Sequence, residues 1–123
     1  KNGDEHAPVW KNAFTKAAGI RVPVAVGDFL IIRAVRESNG FAIAVSDEDI
    51  METRDRVASV EGCFLCPEGA ATMSAYEKAI SSKLITPDDK VVLFNCATGL
   101  KYPLPEVTNM INKNKKINYT KFI

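Results

Sequence analysis

The sequence predicts an α/β fold, a partial open parallel sheet with flanking helices. Two apolar runs of strand length, Phe41–Val45 and Val91–Phe94, are continuous rather than alternating, as expected for strands buried on both faces. Capped, helix-patterned stretches alternate with these runs, the order that βαβ units produce. Two clear runs are too few for a complete doubly wound sheet, so the expectation is part of a larger one.

Taken in order, residues 1–18 form a polar leader with a short helix expected near Val9 to Ala18. The leader has no initial Met and reads as though cut from a longer chain. Gly19-Ile20-Arg21-Val22-Pro23 reads as a short extended piece ended by proline. Asp28 is a suitable N-cap for a helix running to about Ser38, with Phe29, Ile32 and Val35 or Arg36 on its apolar stripe and Asn39-Gly40 as its stop. After the first apolar run, Ser46-Asp47-Glu48-Asp49 starts a second helix, which buries Ile50, Val57 and Ala58 and closes at Gly62. Cys63 to Cys66 is short and extended, and Pro67 suits the first position of a third, Ala-rich helix ending near Ser81. Thr86-Pro87-Asp88-Asp89 is a turn into the second apolar run, and Asn95 to Gly99 leaves that run in small residues. Pro103 and Pro105 introduce a last short helix before a basic tail. The expected divisions are therefore a leader over 1–18, an α/β portion over 19–105, and a helix and tail over 106–123.

Composition sets the function classes. A chain of 123 residues with 46% hydrophobic and 25% charged residues suits one soluble domain. A net charge of +1 provides no field for nucleic acid or an anionic membrane, and no apolar run approaches a membrane span. The tail lysines Lys113, Lys115, Lys116 and Lys121 are interleaved with Asn and read as solvated. Three cysteines, with no framework spacing, read as free thiols in a reducing cytoplasm. Cys63 and Cys66 fit C-x-x-C, but a zinc site needs further ligands and the sole histidine, His6, is remote in sequence, so no metal is expected.

Three stretches concentrate small and polar residues. Cys66-Pro67-Glu68-Gly69-Ala70-Ala71 opens a helix whose N-terminus suits an anion or cofactor ring, or whose small residues simply allow close packing. Asn95-Cys96-Ala97-Thr98-Gly99-Leu100-Lys101 follows an apolar run, where α/β folds place ligands. Cys96 and Thr98 each carry a group able to bond a heteroaromatic nitrogen; equally, they are a small thiol and a turn-forming hydroxyl. In the third stretch Gly19 either admits a flat ring beside the chain or makes a turn.

These stretches, in this order, resemble the C-terminal third of the threonine synthase family, within the fold-type II (tryptophan synthase β-like) pyridoxal-phosphate (PLP) enzymes. The resemblance is carried by Gly19-Ile20-Arg21-Val22-Pro23, Gly27-Asp28-Phe29-Leu30-Ile31-Ile32-Arg33, Ala44-Val45-Ser46-Asp47-Glu48, Glu61-Gly62-Cys63-Phe64-Leu65-Cys66-Pro67-Glu68-Gly69 and Asn95-Cys96-Ala97-Thr98-Gly99-Leu100-Lys101. It implies PLP as cofactor, O-phosphohomoserine as substrate, L-threonine and phosphate as products, and a cytoplasmic homodimer. It also implies Cys96, Thr98 and Gly99 as cofactor-binding residues. Alignment on Gly99-Leu100-Lys101 puts Cys96 where relatives carry a Thr beside the pyridine nitrogen, with Thr98 as the alternative. The family's Schiff-base lysine segment has no counterpart here, so no catalytic residue is assigned. Two other readings stand beside this one: a fragment of another fold-type II lyase such as threonine dehydratase, and a free-standing α/β binding domain. The absent lysine segment gives a first prediction: PLP added to the purified chain forms no adduct on a unique lysine, and no visible absorbance band survives dialysis. A dialysis-stable band that maps to one lysine by peptide mass would refute it.

Overall fold

The computed structural model describes residues 3–106 and 111–121. Three α-helices organise them: α1 (Asp28–Glu37), α2 (Asp47–Glu61) and α3 (Pro67–Ser81). Short 3-10 turns lie at Ala18–Ile20, Gly99–Lys101 and Tyr119–Lys121.

The expected sheet is not there. Among the described residues no strand forms, and the one β-type pairing is an isolated antiparallel bridge between Leu65 and Thr98. A continuous apolar run becomes a strand only when neighbouring backbones take up its N–H and C=O groups. Phe41–Val45 and Val91–Phe94 have no such neighbour, and Val92 and Phe94 are 94% and 77% exposed. The molecule is helical, and the α/β prediction is corrected accordingly.

Capping chemistry explains why the helices are where they are. Ser46 caps α2 in a reciprocal box: its hydroxyl accepts the Asp49 N–H, and the Asp49 carboxylate accepts the Ser46 N–H. Gly62 ends α2 in the left-handed region at φ 66°, which a side chain rarely adopts. Pro67 occupies the first turn of α3, where its missing N–H costs nothing. Asn39, at φ 53°, ends α1 as its sequence predicts, and the Gly40 N–H returns to the Val35 carbonyl.

Three further expectations are revised. Val9 to Ala17 is not helical; the leader turns at Lys11-Asn12, and only Ala18–Ile20 coils. Gly19–Pro23 is therefore bent rather than extended, held by the Arg21 guanidinium on the Thr15 carbonyl. Gly27 is the N-cap of α1, and Asp28 is its first helical residue. The Asp28 carboxylate instead receives the Ala7 N–H at 2.7 Å and meets His6 Nδ1 at 3.0 Å, fastening the leader onto α1. The helix expected beyond Pro105 falls partly on residues 107–110, outside the described residues.

The core lies between α2 and α3, with the Ala18–Ile20 turn against α3. Ile50, Cys66, Ala70, Ala79 and Ala17 are its buried apolar residues. Small side chains on α3 let the helices approach closely. A polar staple then joins them: the Ser74 hydroxyl lies 2.9 Å from Thr53 Oγ1 and 3.2 Å from the Asp49 carbonyl. Both hydroxyl residues are buried, and the Ser74 hydroxyl also lies 3.1 Å from the Ala70 carbonyl, so neither is left unpaired.

The Asp28 contacts carry a pH dependence. Donation from the Ala7 N–H, more than offsetting burial and aided by His6 and the Phe29 N–H, holds the Asp28 carboxyl below the usual aspartate range. A carboxyl depressed in the folded state stabilises above its unfolded pKa, about 3.9, and loses that contribution as pH falls through the lower folded value. The midpoint of thermal unfolding should therefore fall with pH below about 4, and fall less steeply in Asp28→Asn. Parallel slopes for the two proteins, followed by circular dichroism, would count against the fastening.

Candidate functional site

The N-terminus of α3 collects all three of the small-residue stretches. Two come together through the Leu65–Thr98 bridge: the Cys66 N–H donates to the Ala97 carbonyl at 3.2 Å, and the Gly99 N–H to the Phe64 carbonyl at 2.8 Å. Gly99 is buried there, and a Cβ on it would stand 2.5 Å from the Leu65 carbonyl oxygen. Only glycine lets the two backbones approach this closely. Gly69 is likewise a packing residue, since a Cβ would run into the Asn95 side chain.

Glu68 brings in the third stretch. Its Oε1 accepts the Gly19 N–H at 2.7 Å and the Tyr102 hydroxyl at 2.6 Å. Burial pushes the Glu68 carboxyl up, but bonds from Tyr102, its own N–H and Gly19 outweigh that and hold it below the ordinary glutamate range. The same bond pushes the Tyr102 phenol above its usual value, because losing its proton would set two anions together. Gly19 is accordingly a turn glycine pressed against Glu68, where a Cβ would lie 2.8 Å from the carboxylate.

The cysteines divide the sequence motif differently from its spacing. Cys66 is fully buried, caps α3 and accepts the Gly69 N–H on its sulfur at 3.3 Å. Its thiol faces Cys96, with the two sulfurs 3.6 Å apart, while Cys63 is exposed and outside this cluster. Burial raises the Cys66 thiol pKa, against the opposing pull of the Gly69 N–H.

Of the residues singled out for a cofactor, Cys96 carries an exposed thiol, and Thr98 uses its hydroxyl oxygen to accept the Leu100 N–H at 3.3 Å. Gly99 is packed against Leu65 and Phe64. A thiol and a hydroxyl two residues apart on a turn pinned by a buried glycine suit a heteroaromatic nitrogen, so the donor set fits the ring of PLP. Of the described lysines, Lys78 reaches the Ala44 carbonyl, and Lys101, at the end of the Gly99–Lys101 turn, is exposed. Glu68 stands in one of the stretches singled out in the sequence and Tyr102 directly follows another, but sequence reasoning gave neither a role. The signal was present, an acid in the first turn of α3 and a tyrosine in the matched Gly-Leu-Lys segment, but only the fold joins residues 34 positions apart.

The profile of the family described as pyridoxal-phosphate dependent enzyme matches residues 3–97. The chain belongs to that family. Its relatives include threonine synthases: that of Methanocaldococcus jannaschii is 33% identical over 94 residues, covering 76% of this chain and 23% of the relative. The threonine synthase of Methanosarcina acetivorans is 32% identical over 93 residues, 76% of this chain and 23% of its own length. That of Mycobacterium bovis is 34% identical over 89 residues, 72% of this chain and 25% of the relative. The matched region thus spans about a quarter of the length of these proteins.

The Glu68 junction yields a prediction. Glu68→Ala leaves Gly19 and Tyr102 without their shared acceptor and should cost about 1–3 kcal/mol in urea unfolding. Tyr102→Phe should cost less, because Gly19 keeps its partner. Equal stability of the parent and Glu68→Ala would remove the junction from the account.

Proposed function

We propose that the chain is the C-terminal portion of a threonine synthase, which converts O-phosphohomoserine and water to L-threonine and phosphate. The observation carrying this reading is that the three stretches on which the threonine synthase resemblance rests meet at one place, the N-terminus of α3, where Cys96 and Thr98 lie. PLP, when bound, supplies the electron sink for the substrate's carbon chemistry.

The residues of this chain would do simpler work. Cys96 would place its thiol at the pyridine nitrogen, and Thr98 would keep the turn in shape through its bond to Leu100. A thiol is a weak acid beside a weakly basic ring, so it leaves that nitrogen unprotonated, where a carboxylate would hold a proton on it. Gly99 would hold the turn against Leu65. Glu68 and Tyr102 would act at one remove, by fixing α3 relative to the Gly19 turn. The Schiff-base lysine and the substrate's phosphate contacts would come from other parts of the enzyme, which in this reading is a cytoplasmic homodimer.

The test is made in the intact enzyme, by phosphate release from O-phosphohomoserine. Cys96→Ser keeps a donor and should stay within about tenfold of the parent, or about 1.4 kcal/mol of barrier. Cys96→Ala removes it and should cost about 1–3 kcal/mol. Unimpaired Cys96→Ala with a crippled Thr98→Ala would transfer the contact to Thr98. An enzyme that deaminates threonine and releases no phosphate would replace threonine synthase with a dehydratase.

A further inference from the structure

We infer that Cys66, Cys96 and Glu68 form a binding site for a thiophilic divalent cation, of which zinc is the representative. The sulfur of Cys66, the sulfur of Cys96 and a carboxylate oxygen of Glu68 all lie within 4.8 Å of one another. The two sulfurs are 3.6 Å apart. Zinc–sulfur bonds of about 2.3 Å in a tetrahedron set their sulfurs ~3.8 Å apart, so the pair needs almost no movement to share an ion. Two thiolates and a carboxylate are a soft, anionic set that favours zinc or cadmium over magnesium or calcium. The fourth position opens to solvent on the Cys96 side.

The ligands are held before any ion arrives. Cys66 is fixed by its place at the start of α3, where the Gly69 N–H meets its sulfur. Cys96 follows from the Leu65–Thr98 bridge two residues away. Glu68 is oriented through Oε1 by Gly19 and Tyr102. That arrangement supplies the outer contacts that orient ligands in metal sites. Binding balances as one divalent cation taken up and two thiol protons released, with no change of oxidation state. The ligand pair is Cys66–Cys96, from two segments 30 residues apart, rather than the Cys63–Cys66 pair that the C-x-x-C spacing suggests.

The site shares Cys96 with the proposed ring contact, so ion and cofactor would exclude each other there. This clause alone rests on the functional reading; the binding itself does not. The test therefore uses the reduced chain without PLP. Cadmium titration followed by the ultraviolet sulfur-to-metal charge-transfer band should saturate at one equivalent, and zinc should compete the band away. Cys63→Ser should match the parent. Cys96→Ser should lose at least half of the band and bind at least about tenfold more weakly, since losing even an outer contact commonly costs 10–100-fold. Glu68→Gln should keep the band and weaken zinc by a similar factor, with its fold checked by circular dichroism. Should Cys66→Ser not fold, Cys96→Ser at the exposed ligand still decides the matter. Absence of a band at micromolar protein, equal affinity in Cys96→Ser and the parent, or loss of the band in Cys63→Ser alone would each overturn the site. None of these results alters the phosphate-release test of the function.

Discussion

The carboxylate of Glu68 is the contact on which the arrangement at the end of α3 depends. One oxygen gathers a backbone N–H from the Gly19 turn and a phenol from Tyr102, joining segments that are 49 and 34 residues away in the chain. Hydrogen bonds to a charged acceptor are the stronger kind, worth more than their neutral equivalents because the ionised form is what they stabilise. Burial opposes that ionised form and the bonds outweigh it, so the carboxylate stays charged and the junction stays closed. The nearby Leu65–Thr98 bridge supplies a second constraint, independent of charge, that fixes Cys96 beside Cys66. Together the two constraints turn three scattered stretches into one site.

A small core explains why such polar ties matter. Its buried apolar residues are mostly small, and the contact between α2 and α3 is completed by Ser74 and Thr53 rather than by large side chains. Large apolar residues meet solvent elsewhere: Trp10 is 71% exposed and Val26 96%. Apolar burial normally dominates folding, at about 25 cal/mol per Å². Where little of it is achieved, capping boxes, buried hydroxyl pairs and charge-assisted bonds decide the local geometry. The leader follows the same rule. Asp28 and Asp47 each accept backbone N–H groups from it, at Ala7 and Lys16.

Much of the helical structure was legible because its signals are local. Ser46 with Asp49, Gly62, Pro67 and the Asn39-Gly40 stop act within a turn of the residues they govern, and the helix ends fall where they point. The sheet was misread because its signal is not local. An apolar run such as Val91–Phe94 reports that its residues would favour burial, while strand formation depends on a partner backbone that the run does not specify. Asp28 was misplaced by one position for a related reason: an acid beside a helix start suits the cap, but the leader competes for the same carboxylate.

The site was half legible, and the division follows chemistry. Glycines and thiols mark positions where backbones approach or a ligand can be met, so Cys96, Thr98 and Gly99 stood out as residue types in a turn. Whether such a glycine serves packing or a ligand depends on what its missing Cβ would strike. For Gly69 the obstacle is Asn95, and for Gly99 it is the Leu65 carbonyl. Both are packing residues, and Gly99 is what lets the turn close against Leu65. The C-x-x-C spacing does not report which sulfurs meet, because spacing counts residues along one segment. A sulfur finds its neighbour across segments, and the antiparallel bridge brings Cys96, not Cys63, to the buried thiol of Cys66. Any chemistry at this turn, a ring nitrogen or a cation, therefore takes place beside two thiols of unequal character: Cys66, whose burial holds its proton, and Cys96, which meets solvent.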